Sequence, residues 1–189
     1  MKSSSLKNEN QLLLQATIDP EAFAKIYDYY FTRVYNYVRS RVNRSSMADD
    51  LTSQIFERVL FKLDKFHPER GSFRTWLFTI AHNIITDYLR NQEKQHIVSL
   101  DMVRELACAR NGPEEVYILQ ESQQDLQAAL ELLNNRERNL IGLKFWAGLN
   151  NRQIAQMTGL SESNVGVILY RSIRRLQLAL KKEEACENE

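Results

Sequence analysis

Cysteine, proline and glycine are scarce in this chain, whose 189 residues include two Cys, three Pro and six Gly. Cys108 and Cys186 are too far apart for a zinc knuckle and too few for a disulfide framework, which is typical of a reducing compartment. So little Pro and Gly excludes collagen-like and low-complexity chains. No segment has the roughly 18 consecutive apolar residues of a membrane span, and the N-terminus lacks a signal-peptide core. We therefore expect a folded, soluble, cytoplasmic protein with no direct membrane insertion.

Neither sign of charge is in excess, since 25 Lys and Arg accompany 24 Asp and Glu, but the two signs are unevenly distributed. Residues 91–135 carry three basic and eight acidic side chains, whereas residues 136–182 carry nine basic and two acidic ones. A basic segment beside an acidic one is expected where one end of a protein meets a polyanion. A solvated surface with segregated charge is the alternative, and charge alone does not decide between the two.

Apolar residues recur every three or four positions over most of the chain, which predicts an all-α protein. Asp19-Pro20-Glu21 is a helix start signal, and an apolar stripe then extends to about Arg41. Ser46 and Asp49 resemble a capping box that begins a second helix. The residues of this second helix that we expect to face the core are Leu51, Ile55, Val59, Leu60 and Leu63.

Ser72 is placed to cap a third helix that ends near Gln95, and three amphipathic helices in one block predict a helical bundle. The periodicity then weakens up to Gly112-Pro113, apart from a short helix predicted around 102–109. Asn134 and Glu137 form a further capping signal in the second half. The predicted organisation is two small helical domains at 1–95 and 113–183, a flexible linker at 96–112 and an acidic tail at 184–189.

Residues 151–171 carry the sharpest local pattern, which is typical of a helix-turn-helix. Ala155 is small enough for two helices to cross closely, Gly159 can adopt the positive φ of a turn, and Ser161 can cap the second helix. The alternative is an ordinary helical hairpin, but the arginines that follow favour DNA binding. We expect base-edge contacts from the first turns of the second helix and phosphate contacts from its later turns. The candidates are Ser161, Glu162, Ser163, Asn164, Gly166 and Val167 for base edges, and Arg171, Arg174, Arg175 and Lys181 for phosphates.

Aromatic and polar side chains are interleaved along the third predicted helix. This combination is suited to stacking on unpaired bases and hydrogen-bonding to them. The aromatic residues are Phe73, Trp76, Phe78 and Tyr88, and the polar ones between them are Arg74, Thr75, Asn83 and Arg90. Aromatic residues at helical spacing more often fill a core, so the pattern alone favours packing and leaves base binding open.

Two blocks of the sequence resemble, in the right order, regions 2 and 4 of the extracytoplasmic-function (ECF) group of sigma factors in the bacterial sigma-70 family. The resemblance covers about residues 20–95 and 113–180. It implies a protein that binds core RNA polymerase, recognises the −10 and −35 promoter elements and promotes transcription initiation, and that is not an enzyme. The segments that carry it are Ala48–Thr52, Ile55–Leu60, Phe73–Asn83, Asp87–Arg90 and Leu132–Leu178.

The resemblance also implies functions for individual residues of the first domain. Its second helix would contact a coiled coil of the polymerase β′ subunit through Asp49, Asp50, Gln54 and Glu57. Its third helix and the preceding loop, at about 67–72, would bind the non-template −10 strand, from which one base is flipped out. The expected contacts to this strand are His67, Arg70, Phe73, Arg74, Trp76 and Asn83.

The helix-turn-helix would read the −35 element as duplex DNA, with the candidates given above. The implied partners are the β′ and β subunits of core RNA polymerase and promoter DNA. Many members of the group are held inactive by an anti-sigma factor, which makes such a protein a further candidate partner.

Two other classes of protein are the alternatives. A stand-alone helix-turn-helix regulator accounts for residues 136–182 but gives no function to Trp76 and Asn83. A nuclease or recombinase needs carboxylates such as Asp49, Asp50 and Asp87 to converge on a metal. The sequence contains no His/Cys cluster, serine nucleophile motif or phosphate-binding glycine loop, so we expect no catalytic residue, no metal and no cofactor.

Overall fold

The computed structural model of the chain describes residues 9–42, 44–98 and 126–186. Within these ranges the chain forms helices and no β-strand, which confirms the all-α fold class. Two 3-10 turns, Leu63–Lys65 and Pro68–Arg70, connect the third and fourth helices. The helices in chain order are α1 (Glu9–Gln15), α2 (Pro20–Arg39), α3 (Ser45–Lys62), α4 (Phe73–Val98), α5 (126–131), α6 (Asn135–Phe145), α7 (Asn151–Thr158) and α8 (Glu162–Cys186).

The helices α2, α3 and α4 pack as a bundle because each presents one apolar face to the other two. The start signal of α2 works as expected, since the Asp19 side chain accepts a hydrogen bond of 2.9 Å from the Glu21 N–H and Pro20 occupies the first turn. The interior of the bundle consists of large side chains with at most 1% of their surface exposed, among them Ile26, Tyr30, Tyr37, Ile55, Leu77, Phe78 and Ile85.

Two details of α3 correct the sequence-based expectation. The helix begins at Ser45 with Arg44 as its cap and has no side-chain cap hydrogen bond, so the Ser46–Asp49 capping box was wrong. Leu60 was expected in the core, but its side chain is 49% exposed. Each helical residue is rotated about 100° from the one before it, so Leu60 turns away from the buried side of Val59.

The short helix α1 was not anticipated, because its seven residues give too little periodicity to recognise. Its Leu13 is buried in the core, and its Glu9 carboxylate accepts a hydrogen bond of 2.5 Å from the Tyr30 hydroxyl. Burial, and then this hydrogen bond, raise the pKa of Tyr30 above its ordinary value. The short helix expected at 102–109 and most of the expected linker lie outside the described residues.

The second group of helices, α5 to α8, begins with a confirmed sequence signal. The Asn134 side chain accepts hydrogen bonds from the Arg136 and Glu137 N–H groups, and the Glu137 carboxylate accepts one from the Asn134 N–H. This capping box satisfies amides that the first turn of α6 leaves without partners. A second capping box, formed by Asn150 and Gln153, begins α7 in the same way.

The two groups of helices share one continuous apolar core, in which α6 packs against α2. Gly142 in the middle of α6 allows this approach, because a Cβ atom there would lie 2.7 Å from Cδ2 of Tyr37 and 2.9 Å from Oγ of Ser40. A glycine inside a helix costs about 1 kcal/mol relative to alanine. At this position the absence of a side chain is required by the neighbouring helix.

Candidate functional site

One face of α3 is acidic and exposed to solvent. Asp49, Asp50, Gln54 and Glu57 are all exposed there, and the carboxylates of the three acidic residues form no ion pair with any residue that the structure describes. Residues 50, 54, 57 and 61 follow one another at spacings of three and four, so they lie on the same side of the helix. This side ends at Phe61, whose ring is 73% exposed.

The loop between α3 and α4 is held by local contacts. His67 Nδ1 lies 3.3 Å from a carboxylate oxygen of Glu69, and both side chains are exposed, as is Arg70. Gly71 has φ 152° and ψ 174°, a conformation open in practice only to glycine. Ser72 then caps α4 as expected, since its hydroxyl accepts a hydrogen bond of 3.2 Å from the Thr75 N–H.

The structure separates the aromatic residues of α4 into core and surface. Phe73 and Phe78 are at most 1% exposed, so they pack in the bundle; this corrects the expectation that Phe73 contacts the −10 strand. Trp76 is half-buried, with its ring 5.4 Å from that of Phe66 and 5.6 Å from that of Phe73. Asn83 is exposed two turns further along α4. Trp76 and Asn83 therefore remain available to a strand lying on this surface.

The beginning of α4 also contacts the second group of helices. Gln153 of α7 donates a hydrogen bond of 3.0 Å from Nε2 to Oγ1 of Thr75. A Cβ atom at Gly148 would lie 3.3 Å from a guanidinium nitrogen of Arg74. Arg74, a residue expected to contact the −10 strand, is therefore covered in part by the segment that precedes α7.

The helices α7 and α8 form a helix-turn-helix with the predicted chemistry. Gly159 ends α7 in the left-handed conformation, with φ 71°. The Ser161 hydroxyl accepts a hydrogen bond of 3.2 Å from the Asn164 N–H and so caps α8. Ile154, Ala155 and Val165 are buried where the two helices cross. This packing fixes the direction in which the first turns of α8 leave the domain.

The side chains predicted to meet DNA fall into two sets on α8. Ser161, Ser163, Asn164 and Val167 are exposed on its first turns, and Arg171 and Arg174 are exposed further along. Arg175 differs, because its guanidinium donates to the Glu137 carboxylate at 3.0 Å and to the Leu132 carbonyl oxygen at 2.7 Å. Arg175 therefore joins α8 to the start of α6 while its side chain stays exposed, and its contact with a phosphate stays a prediction.

Two exposed side chains belong to these surfaces although the sequence did not single them out. Tyr170 is 67% exposed, three residues after Val167 on the same side of α8. Phe61 is 73% exposed, four residues after Glu57 on α3. Helical spacing from an exposed candidate residue is the signal that finds both residues, because each extends an exposed face by one turn.

A buried polar cluster lies where the two groups of helices meet. The Tyr37 hydroxyl donates a hydrogen bond of 2.7 Å to Oδ1 of Asn139 and lies 3.4 Å from Nδ1 of His82. The Arg41 guanidinium donates to the Asn135 carbonyl oxygen. Burial, and then the charge of Arg41, lower the pKa of His82 below its ordinary value, which favours the neutral ring. Burial raises the pKa of Tyr37 and lowers that of Arg41.

Two further kinds of feature are absent from the residues that the structure describes. No group of three or more His, Cys, Asp or Glu side chains in those ranges is arranged to hold a metal ion. None of the helices there combines the length and the apolar character that crossing a bilayer requires.

Two family models match the chain, and together they cover most of the two groups of helices. Sigma-70 region 2 matches residues 26–95, which contain the acidic face of α3 and the start of α4. Sigma-70, region 4 matches residues 123–176, which contain the helix-turn-helix. The matches occur in the order that the sequence predicted.

Curated relatives and solved structures agree with these models. The chain is 29% identical over 158 residues to the ECF RNA polymerase sigma factor BldN of Streptomyces coelicolor, an alignment covering 84% of this chain and 60% of BldN. It is 27% identical over 175 residues to the ECF sigma factor SigX of Bacillus subtilis, covering 89% of this chain and 90% of SigX. The chain therefore spans little more than half of BldN but nearly all of SigX.

The fold is similar to that of the sigma factor RpoE in complex with the anti-sigma factor NepR from Bartonella quintana, with a TM-score of 0.68 at 22% identity over 84% of this chain and 96% of that one. It is also similar to CnrH in complex with the cytosolic domain of CnrY, with a TM-score of 0.66 at 22% identity over 91% and 96% of the two chains. The likeness concerns the fold, whereas the family follows from the sequence matches. This chain belongs to the ECF sigma factors of the sigma-70 family, initiation factors that bind core RNA polymerase and promoter DNA.

Proposed function

We propose that this sigma factor performs initiation through three separate exposed surfaces. The acidic face of α3 binds the β′ subunit of core polymerase, the loop at 67–72 and the surface of α4 bind the −10 strand, and the exposed side of α8 binds the −35 duplex. In functional terms, residues 1–95 form the first module and 113–183 the second, with a linker at 96–112 and an acidic tail at 184–189. The protein acts in the cytoplasm by binding and catalyses no reaction itself.

The observation that carries this proposal is the placement of opposite charges on different modules. The α3 face offers carboxylates that no described cation neutralises, so it suits a basic protein partner. The α8 face offers Arg171 and Arg174, whose positive charge suits the phosphates of a duplex. One surface thus selects a protein and the other selects DNA, as a factor that connects polymerase to promoter requires.

The proposed −10 surface combines a stacking ring with hydrogen-bonding side chains. Trp76 offers the edge of an aromatic cluster, Asn83 offers an amide, and Arg70 and Arg74 offer charge to the strand backbone. Stacking and edge contacts made only with a separated strand favour the open promoter over the duplex. His67 lies in the loop proposed to receive the flipped base.

Transcription with purified components tests the proposed function directly. Core polymerase and this chain should give run-off transcripts from a genomic promoter library, and core polymerase alone should not. In a gel shift, the chain should bind its promoter tightly only when core polymerase is present. Tight, specific binding to the same duplex without polymerase would support the alternative, a stand-alone helix-turn-helix regulator.

An anti-sigma factor is a further proposed partner. Both solved relatives described above are complexes, one of them with the anti-sigma factor NepR. The exposed surfaces of α3 and α8 are the ones that such a protein needs to cover in order to block polymerase and DNA together.

Phe61 gives the proposed polymerase surface an apolar anchor, and replacing it should weaken binding. Interfaces derive most of their affinity from a few large side chains that lose water on binding. We expect Phe61→Asp to weaken the affinity for core polymerase at least about tenfold, as measured by fluorescence anisotropy. Ile18→Asp is the matched control, since Ile18 is 88% exposed and lies outside α3. If the two substitutions weaken binding equally, Phe61 is not part of the polymerase-binding surface.

Arg171 and Arg175 should differ in how their loss changes the salt dependence of −35 binding. Each phosphate contact contributes about 0.9 to the slope of log K against log salt concentration. Arg171→Ala should therefore lower the slope of holoenzyme binding by roughly one unit. Arg175→Ala should leave the slope unchanged and lower the melting temperature, because its guanidinium is engaged by Glu137 and Leu132. A reversed pattern would exchange the roles assigned to the two arginines.

A further inference from the structure

The hydroxyl of Tyr30 lies inside the first bundle and has two charged partners. The Tyr30 side chain is buried, and its ring packs edge-on against that of Phe73 at the start of α4, with the ring centroids 5.5 Å apart. The hydroxyl donates a hydrogen bond of 2.5 Å to the Glu9 carboxylate of α1. The Arg74 guanidinium of α4 also interacts with this hydroxyl, by its charge and by hydrogen bonding. Phenylalanine would fill the same space, so packing of the ring does not account for the hydroxyl.

The donor and acceptor roles in this contact are fixed by the chemistry of the three groups. A guanidinium only donates and an ionised carboxylate only accepts, so the hydroxyl accepts from Arg74 and donates to Glu9. Burial, and then the hydrogen bond to Glu9, raise the pKa of Tyr30, so its hydroxyl stays protonated. Hydrogen bonds that involve a charged partner are stronger than neutral ones. The contact is therefore a directed chain of hydrogen bonds from Arg74 through Tyr30 to Glu9.

The helix α1 is attached to the bundle on the side that carries Glu9. Leu13 and Ala16 follow Glu9 at spacings of four and seven residues, so the three side chains share one face of the helix, and both apolar ones are buried. This face packs on α2. A seven-residue helix is too short to be stable by itself, so the bundle holds α1 in place. The packing thereby places the Glu9 carboxylate at the Tyr30 hydroxyl.

The other end of the chain of hydrogen bonds lies beside the loop proposed to bind the −10 strand. Glu9, Tyr30 and Arg74 line a cavity of about 160 Å³ together with Ser72, the last residue of the loop at 67–72. Arg74 itself is half-buried. A long cationic side chain that is already held in place loses less conformational entropy on binding than a free one does. Residues of α1 and α2 thus restrict a cation that stands next to the proposed strand-binding loop.

We propose that Glu9 and Tyr30 are positioning residues of the −10 surface, which hold the Arg74 guanidinium in the orientation that binds a phosphate of the non-template strand. The helix α1 then contributes to promoter opening without touching DNA. The inference rests on the proposed function, because it assumes that Arg74 meets the −10 strand. It extends that surface to Glu9, which precedes residues 26–95, the segment that sigma-70 region 2 matches.

Binding of the holoenzyme to a forked DNA tests the positioning role. The probe is a duplex whose single-stranded arm carries the non-template −10 sequence of a promoter mapped by run-off transcription, and fluorescence anisotropy measures the affinity. Tyr30→Phe removes the hydroxyl and keeps the ring. We expect it to weaken binding roughly 2- to 12-fold, the cost of ordering one long side chain. Glu9→Ala should weaken binding in the same range, and Glu9→Gln, which keeps an oxygen acceptor, should restore part of the loss.

Two readouts distinguish positioning from a general loss of stability. Tyr30→Phe should cost no further affinity when Arg74 is already alanine, whereas a loss of stability would add to the effect of Arg74→Ala. Arg74→Ala should lower the slope of log K against log salt concentration by about 0.7, the value for one phosphate of a single strand. Tyr30→Phe should leave this slope unchanged, because Arg74 still reaches the phosphate. Tyr27→Phe is the matched control on α2, since the Tyr27 ring packs against those of Phe31 and Phe56.

The outcomes separate the positioning role from the proposed function. Unchanged affinity in both Tyr30→Phe and Glu9→Ala, or additive effects in the double-mutant cycle, would overturn the positioning role. An Arg74→Ala variant with unchanged affinity and slope would overturn it as well, because no phosphate contact would remain to be positioned. Run-off transcription by the unmodified chain decides the proposed function independently of these results. Core polymerase should bind every variant equally, and a parallel loss of that binding would assign Tyr30 and Glu9 a purely structural role.

Discussion

Replacing two carboxylates on α3 by lysine should abolish the binding of this sigma factor to core polymerase. Asp50 and Glu57 lie on one side of the helix, exposed and without ion pairs to described residues. In Asp50→Lys/Glu57→Lys, lysines would face the basic partner, and like charges brought together cost several kcal/mol. We expect the affinity for core polymerase to fall at least about 100-fold, as measured by anisotropy of the labelled chain.

The control for this variant carries the same change of charge elsewhere. Asp28 on α2 and Glu131 on α5 are exposed, and Asp28→Lys/Glu131→Lys changes the net charge equally. The control should bind polymerase with nearly unchanged affinity. If both double variants lose affinity equally, polymerase senses the overall charge of the chain and α3 is not its docking surface.

Trp76→Ala should cause the second large defect, at the step of promoter opening. Stacking of one base on an aromatic ring is worth about 1–3 kcal/mol, so loss of the indole should reduce open complex by roughly 5- to 150-fold. Polymerase binding and closed-promoter binding should persist, because α3 and α8 are unaltered. Permanganate reactivity of unpaired thymines near −10 measures the open complex, and a gel shift measures total binding.

Phe66→Ala is the control that distinguishes a direct contact between Trp76 and a base from the role of Trp76 in packing the aromatic cluster. The rings of Phe66 and Trp76 lie 5.4 Å apart and both pack against Phe73, so either substitution weakens the same aromatic cluster. We expect the two variants to lose thermal stability together, but only Trp76→Ala to lose promoter opening. Equal opening defects would assign Trp76 a packing role and remove it from the −10 surface.

The features that could be predicted from sequence are those determined by a few neighbouring residues. Asp19, Ser72, Asn134 and Ser161 all cap helices where expected, because a cap hydrogen bond is formed within three residues. The helix-turn-helix could be predicted for the same reason, because neighbouring residues determine its turn and its cap. The Ser46 expectation was wrong although its spacing was right, since the chain had already entered α3 at Ser45.

The features that could not be predicted depend on residues distant in the sequence. Arg175 has the charge and position of a phosphate ligand, but Glu137, 38 residues earlier, engages its guanidinium. Phe73 begins the helix proposed to read DNA, but its ring is buried and packs against those of Tyr30 and Phe66. The hydrogen bond between Tyr37 and Asn139 joins residues that are 102 positions apart in the sequence, so no local pattern predicts it. The helices that carry the candidate surfaces could be predicted from the sequence, whereas the long-range contacts of individual residues on them could not.

The backbone of Gly71 limits how the loop proposed to contact the −10 strand can be re-engineered. A Cβ atom at this position would meet nothing within 4 Å, so room for a side chain is not the constraint. The constraint is the dihedral angle, because φ 152° is a conformation that other residues adopt only with strain. Designers who wish to redirect this factor to new promoters therefore need to keep glycine at position 71, so that the chain can still turn into α4.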